Sequence, residues 1–398
     1  MRYAFIGDPR STNFRDFISS IVTDNDSFFV VSQFYSNLPN CYKLLSLFAR
    51  NSSYSKSNFT SVVIKKYFLK SLFVSLLELR WFSLFAYRFL HFLRICELPF
   101  LALQSAYILD REKYDLVIAY RSQFEGYIAS LVVPRKFILF TQGSDFIYWA
   151  FKDPLHFMLT KFTVRMSRAV FVDNTRDLSY ALSFSKNQNK QFLVAPGNGG
   201  FDFSSFDFDR FHERELSIIC VRPPAPYIDH LTLFRSLALI KFRLGIPAFK
   251  FSIVSQFSFY PQLTKQAMAV GLDRSDFSFI PLLEKSQLPA LLSKYSIVVS
   301  PSNTDGIPIS ILEAMSCGCF PIAQNLSSLN DVVVHGKNGF LYPPGDHILL
   351  SFYILRALLE RDLRFNAFCY TKDVILPLYK REFVSQRIRA FINDIFNM

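Results

Sequence analysis

The chain reads as an α/β protein made of two doubly wound parallel sheets in tandem. Three observations predict this. Short apolar runs recur along the 398 residues and helical patterns separate most of them, the rhythm of parallel strands joined by crossover helices. The runs form two series, split by a polar bridge from Phe201 to Glu215. Near residue 300, a strand, loop, helix and second strand follow one another within about thirty residues, the size of one βαβ unit.

The first series starts at Tyr3–Gly7, a strand ending in a glycine turn, and continues with SFFVVS from Ser27 to Ser32. Further strands are predicted at Asp115–Tyr120, Lys136–Phe140, Ala169–Val172 and Gln191–Ala195. The second series runs through Leu216–Val221, Lys250–Val254, Phe277–Ile280, Ser296–Ser300 and Phe320–Ala323. The domains predicted are therefore 1–200, a linker at 201–215, and 216–381. The amphipathic run Glu382–Phe396 lies in the final segment, 382–398.

Between the first strands lies a different stretch. Val62 to Leu109 is helical in pattern, rich in Phe and Leu, and carries Lys65, Lys66, Lys70, Arg80, Arg88 and Arg94 against only Glu78 and Glu97. Its longest uncharged run, Leu98 to Leu109, contains Pro99 and is shorter than the ~20 residues a spanning helix needs. A basic amphipathic surface lying on an anionic membrane is one reading. Two core helices with solvated basic edges is the other.

The net charge of +12 is uneven. Residues 1–200 hold 24 Lys and Arg against 14 Asp and Glu, a difference of +10, while 201–398 hold 20 against 18, a difference of +2. An anionic membrane or acceptor fits such an excess. No nucleic-acid-binding signature accompanies it, so nucleic acid is not expected as a partner. The six cysteines are scattered and include Cys317-x-Cys319, which lacks the spacing of a zinc site. Free thiols in a reducing cytoplasm are expected, and MRYAFIGDPR reads as a strand and turn rather than a signal peptide.

The richest segment is Ser300–Asp346. Asp305 and Glu313 stand eight residues apart, with Gly306 and Pro308 between them. This loop follows a buried strand at its carboxyl end, where open parallel sheets bind ligands. Pro308 suits the first helical position, the helix is predicted over Ile309–Ser316, and Gly318 suits its end. Amides near Ile309 and Ser310 would point at a phosphate. Gly306 lets a ligand approach the backbone. Asp305 can accept bonds from sugar hydroxyls, and Glu313, further along the helix, from a ribose diol. Taken singly, each acid is read equally well as a helix cap or a helix-face carboxylate.

DGIPISILEAMSCGCFPIA resembles the donor-binding segment of family 4 retaining glycosyltransferases, which have the GT-B fold of two Rossmann-like domains facing a cleft. The family pattern is EG-x-P-x-x-x-LEAMA-x-G-x-PV-x-A, with two acids eight residues apart; here the first is Asp305 instead of Glu. The resemblance covers most of 110–398 and is strongest in 296–346. It implies that Gly306, Ile307, Pro308, Ile309, Ser310 and Glu313 contact a nucleotide sugar, with Asp305 on the sugar.

Elsewhere it implies that Arg222 holds the donor diphosphate, where relatives have a Gly-Arg pair followed by Lys. The Lys position falls near Tyr227, so one cation is replaced by a residue that can only hydrogen-bond. Phe279–Leu282, with Ile280, would receive the base. FTQGSD places Gln142 where many relatives have His, beside Asp145; both are implied to act in catalysis. PGNGGFD resembles the segment that ends the first domain, its glycines packing closely, and the last helix would cross back onto that domain.

The implied reaction is transfer of a hexose from a nucleotide diphosphate sugar to a saccharide or polyprenyl-linked acceptor. It would need no metal or other cofactor. The implied place is the cytoplasmic, inner face of the plasma membrane, in surface polysaccharide, lipopolysaccharide or glycolipid synthesis. Two rivals remain: a nucleotide-sugar 2-epimerase of the same fold, and a catalytically degenerate relative acting as a partner subunit.

Overall fold

A computed structural model describes residues 1–8, 11–32, 59–63, 95–186, 189–203, 216–244 and 250–397. The chain divides into two compact units, Met1–Gly200 with Arg381–Met398, and Phe201–Lys380.

Unit 1 holds strands β1 (Arg2–Ile6), β2 (Ser27–Ser32), β3 (Phe59–Val63), β4 (Leu116–Tyr120), β5 (Phe137–Phe140), β6 (Ala169–Val172) and β7 (Gln191–Val194). They form one sheet in the order β3-β2-β1-β4-β5-β6-β7, every neighbour pair parallel. Both faces are covered, so the strand centres, such as Tyr3–Ile6 and Phe28–Val31, are apolar runs rather than alternating. Tyr3 and Phe5 pack with the helix Thr12–Ile21 and with Val384, Ile388, Phe391, Ile392 and Ile395 of the final helix Arg381–Asn397. Ala4 and Ile6 face the other core, with residues of the helices Leu98–Glu112, Tyr127–Val132, Pro154–Met166 and Thr175–Ser185. Ser11, Asp153 and Asn174 accept hydrogen bonds from first-turn amides of the helices they precede, as good N-caps do.

Two glycines of the PGNGG segment show why no larger residue fits. Gly199 has φ +79°, and a Cβ there would meet Ser20 Oγ at 2.1 Å. Gly200 has φ +93°, and a Cβ would lie 2.8 Å from Arg381 Cα. Both allow tight packing against the first and last helices of the unit.

Unit 2 holds β8 (Ser217–Cys220), β9 (Lys250–Val254), β10 (Ser278–Ile280), β11 (Ile297–Ser300), β12 (Phe320–Gln324) and β13 (Phe340–Tyr342). The sheet order is β10-β9-β8-β11-β12-β13, again parallel throughout. The helices His230–Leu244 and His347–Leu359 pack on one face around Leu233, Phe234, Leu350 and Ile354. Ile311, Leu312 and Met315 of the helix Ile309–Ser316 enter a second core.

The structure corrects three expectations. Val62 and Val63 end a strand instead of starting a helix, because Phe59–Val63 pairs along β2. Phe201 and Phe203 are not linker. They stack at 5.8 Å in the core of unit 2, and the Phe201 amide donates to the Tyr379 carbonyl at 2.8 Å. Pro308 precedes the helix as its cap residue, with extended backbone, instead of standing inside it. The rest of the expected linker, 204–215, and the six basic residues from Lys65 to Arg94 lie outside the described residues.

Candidate functional site

In unit 2 the strand order reverses between β8 and β11. Connections leave these two strands in opposite directions, which opens a crevice at their carboxyl ends. The chain leaving β8 carries Arg222, and the chain leaving β11 carries Asp305. Backbone bonds tie the two exits together: the Asp229 amide donates to the Pro301 carbonyl, and the Asn303 amide to the Tyr227 carbonyl, each at 2.8 Å. Residues 83 positions apart thereby meet, with Arg222 Nη2 2.5 Å from Asp305 Oδ2.

The pair is oriented from behind. Asp305 Oδ1 accepts from the Gly306 amide at 2.9 Å, and the Asp305 carbonyl accepts from Ser328 Oγ at 2.9 Å. His230 Nε2 lies 2.9 Å from the Arg222 carbonyl. Burial pushes the His230 pKa down, so the ring is neutral at pH 7. A carbonyl only accepts, so the proton sits on Nε2. Arg222 and Asp305 side chains are 18% and 22% exposed, enough for a ligand to reach them. Nε of Arg222 is buried without a hydrogen-bond partner.

Beside this pair starts the helix Ile309–Ser316, and no side chain caps it. The Ile311 amide donates to the Pro308 carbonyl at 3.0 Å. The amides of Ile309 and Ser310 precede any intrahelical acceptor and are available to an anion. Glu313 is buried within this helix. Ile307 is buried in the core with Phe201 and Leu312, so only its backbone is placed for a ligand. Tyr227 holds the loop through its carbonyl while its side chain is exposed. The Ile280 carbonyl already accepts from the Ser255 amide at 2.9 Å.

Gln142 and Asp145 belong to unit 1, on the turn after β5. Tyr120 has one O–H, and its oxygen lies 2.8 Å from the Gly197 carbonyl, which only accepts. The tyrosine therefore donates there and accepts from Gln142 Nε2 at 2.9 Å. This fixes the amide, leaving Gln142 Oε1 as an acceptor for a ligand hydroxyl. Asp145 is fully buried. Its Oδ2 accepts from the Ser122 amide at 2.8 Å and its Oδ1 lies 3.5 Å from Arg121 Nε. Burial raises its pKa, against the pull of Arg121. It ties the loop after β4 to the turn after β5 and positions both.

Sequence reasoning missed His230, whose grip on the Arg222 carbonyl left no motif. It also missed Arg121 and Glu125, although an Arg directly after the strand DLVIAY was a visible signal. Among the described residues, no three His, Cys, Asp or Glu side chains gather as a metal site, and no helix is long and apolar enough to cross a membrane.

Residues 229–372 match the family model described as glycosyl transferases group 1. The chain is 27% identical over 158 residues to sulfoquinovosyl transferase SQD2 of Arabidopsis thaliana, covering 37% of this chain and 30% of that protein. It is 34% identical over 86 residues to O-antigen chain mannosyltransferase B of Escherichia coli, 22% of each. These matches span less than a third of either relative's length. Among solved structures it resembles sucrose-phosphate synthase of Thermosynechococcus elongatus, with TM-score 0.72 and 14% identity, covering 100% of this chain and 99% of that one. It likewise resembles Anabaena HepE in complex with UDP-glucose, with TM-score 0.72 and 15% identity, covering 99% and 100%. At such identities the likeness is one of fold. Its second unit therefore carries a group 1 glycosyltransferase domain, and the chain as a whole has the GT-B fold.

Proposed function

We propose that this chain moves a hexose from a nucleoside diphosphate sugar to the hydroxyl of a saccharide or polyprenyl-linked saccharide, with retention at the anomeric carbon. The observation that carries this reading is the Arg222–Asp305 pair at the carboxyl ends of β8 and β11, beside the open helix start at Ile309. Arg222 has five donors in a fixed fork. It spends one on Asp305 and can turn others to the diphosphate, joined by the amides of Ile309 and Ser310. Asp305 then accepts from sugar hydroxyls, and Glu313 from the ribose. The bond from the anomeric carbon to the diphosphate oxygen breaks as the acceptor oxygen bonds on the same face. The acceptor proton passes to the leaving diphosphate. Arg222 and the amides stabilise the charge growing there, and no added metal is required. Relatives named as sulfoquinovosyl and mannosyl transferases, and a neighbour bound to UDP-glucose, favour a sugar nucleotide.

The acceptor class rests on the basic half of the chain. The +10 excess in residues 1–200 suits a lipid-linked acceptor at an anionic membrane, on the cytoplasmic face, during surface polysaccharide or lipopolysaccharide assembly.

The test is a thermal-shift panel of UDP, GDP, UDP-glucose and GDP-mannose against their free nucleosides, followed by nucleotide release with the best donor in EDTA. Diphosphates should raise the melting temperature well above nucleosides, and Glu313→Ala should reduce that shift. If no diphosphate protects the folded protein, the reading is wrong.

A further inference from the structure

Unit 1 contains a second arginine-framed site that the donor reading does not use. Arg121 follows β4 with φ +106°, and three residues later Phe124 has φ +51°. Both are left-handed for residues other than glycine, a cost of about 1–3 kcal/mol each that persists only where the surroundings enforce it. The enforcing bonds are visible. The Arg121 amide donates to the Phe140 carbonyl at 2.8 Å, the Gly126 amide to the Arg121 carbonyl at 3.1 Å, and the Ser122 amide to Asp145 at 2.8 Å. A Cβ at Gly126 would lie 2.8 Å from Thr163 Cγ2 and 2.9 Å from the Arg121 carbonyl. This loop is built to hold Arg121 where it is.

Arg121 then leans over the turn Gln142–Asp145. Its Nη2 lies 3.5 Å from Ser144 Oγ, while its Nε is buried without a hydrogen-bond partner. The side chain is 37% exposed, so part of it reaches solvent. A second arginine meets the same turn: Arg176 Nη2 donates to the Gly143 carbonyl at 2.9 Å. Two guanidinium groups thus contact consecutive residues of one turn.

Arg176 also donates from Nε and Nη2 to Asp177 Oδ1 at 3.0 and 2.9 Å, and the acids beneath the two arginines cancel them only in part. Burial pushes the Glu125 carboxyl up to about 8 and that of Asp177, beside Arg176, up to about 7, and raises Asp145 as well. Near pH 7 Glu125 and Asp177 carry less than their full negative charge, and the arginines keep theirs.

We propose that the turn Gln142–Asp145, framed by Arg121 and Arg176, binds a phosphoryl or carboxylate group, and that the acceptor is therefore an acidic saccharide or a phosphate-bearing carrier. The anion site stands on its own observations; calling its ligand the acceptor rests on the transfer reading above.

The experiment is calorimetric titration of the full chain carrying Arg222→Ala, which removes the arginine contact in unit 2. Inorganic phosphate is one probe and glucuronate the other. A site should remain, and the tighter of the two probes names the group. Adding Arg121→Gly should weaken that binding at least tenfold; glycine suits φ +106°, while the loss of the cation beside buried Asp145 lowers the melting temperature. Adding Arg121→Lys keeps a charge over Asp145 but loses the fork, and should weaken binding several-fold; it decides the matter if the glycine variant does not fold. Binding of neither probe in the Arg222→Ala protein, or equal binding with and without the Arg121 changes, overturns the site. Donor binding measured in parallel on the unaltered chain tells failure of this site from failure of the transfer reading.

Discussion

Each unit sets an arginine just beyond a strand at its crevice, and each arginine meets an aspartate from the loop after the next strand. In unit 2, Arg222 and Asp305 touch at 2.5 Å and both are partly open. In unit 1, Arg121 and Asp145 stand 3.5 Å apart, with the acid fully buried. Unit 2 holds its pair with relaxed backbone. All five non-glycine residues with positive φ among the described residues lie in unit 1, two of them in the Arg121–Gly126 loop. One topology therefore supports two devices. The open pair leaves both partners available to a ligand. The buried, strained pair spends its acid on the backbone and leaves only the cation free.

The largest effect should come from removing the open cation. Arg222→Ala is expected to lower turnover of a diphosphate sugar by about 100–1000-fold, the loss typical of one preorganised donor on developing charge. Affinity for the free nucleoside should barely move. Similar losses with nucleoside and diphosphate would take Arg222 off the phosphate.

Next comes the buried acid. Burial pushes the carboxyl of Glu125, near Arg121, Asp145 and Asp8, from its ordinary 4.5 up to about 8 in the fold. Between these values the folded state holds a proton that the unfolded state releases. Stability should thus fall as pH rises from about 5 to 8, by about 1.4 kcal/mol per pH unit at the steepest, and level off above. Asp177, raised to about 7, adds to the same fall, so Glu125→Gln should remove only the share due to Glu125, leave a shallower slope, and be the more stable protein at pH 8. Both tryptophans, Trp81 and Trp149, lie in residues 1–200, so denaturation followed by their fluorescence reads unit 1. Parallel pH curves for the two proteins would show that Glu125 is already ionised.

The smallest effect sharpens the comparison from the other side. Tyr227 is exposed in the loop after β8, where a second cation would complete the diphosphate contacts. Tyr227→Lys should raise diphosphate affinity about five-fold, or ~1 kcal/mol for a partly exposed charge. No gain in a binding titration would mean that the loop does not aim at the phosphates.

The two devices were not equally legible. The helix Ile309–Ser316 and the strands before and after it in the chain followed from local signals: apolar runs, a proline read at the first helical position and a glycine after the helix. Asp305 and Arg222 were readable because motif spacing survives in the chain. Their mutual contact was not, since it depends on backbone bonds between residues some 75 positions apart. In unit 1 the motif singled out Gln142 and Asp145, but the burial of Asp145 was not readable from it. Burial decides what a carboxylate can do, and burial here comes from the Ser122 and Gln142 amides closing over it. Strain at Arg121 and Phe124 leaves no trace in residue types, because neither is a residue that favours positive φ. The strand Phe59–Val63 was misread because it is an edge strand, short and flanked by helix-like sequence.

Val384, Ile388, Phe391, Ile392 and Ile395 close one core of unit 1, yet the 180 residues of Phe201–Lys380 are made before them. At ~5–20 residues per second on the ribosome, the first unit waits about 10–40 s with the aromatic face of Tyr3, Phe5, Phe14 and Phe17 uncovered, while the second unit has everything it needs to fold. Nascent chains of this protein should therefore lean on chaperones through their N-terminal half. A circular permutant that starts at Arg381 and runs on into Met1 should be released from that dependence.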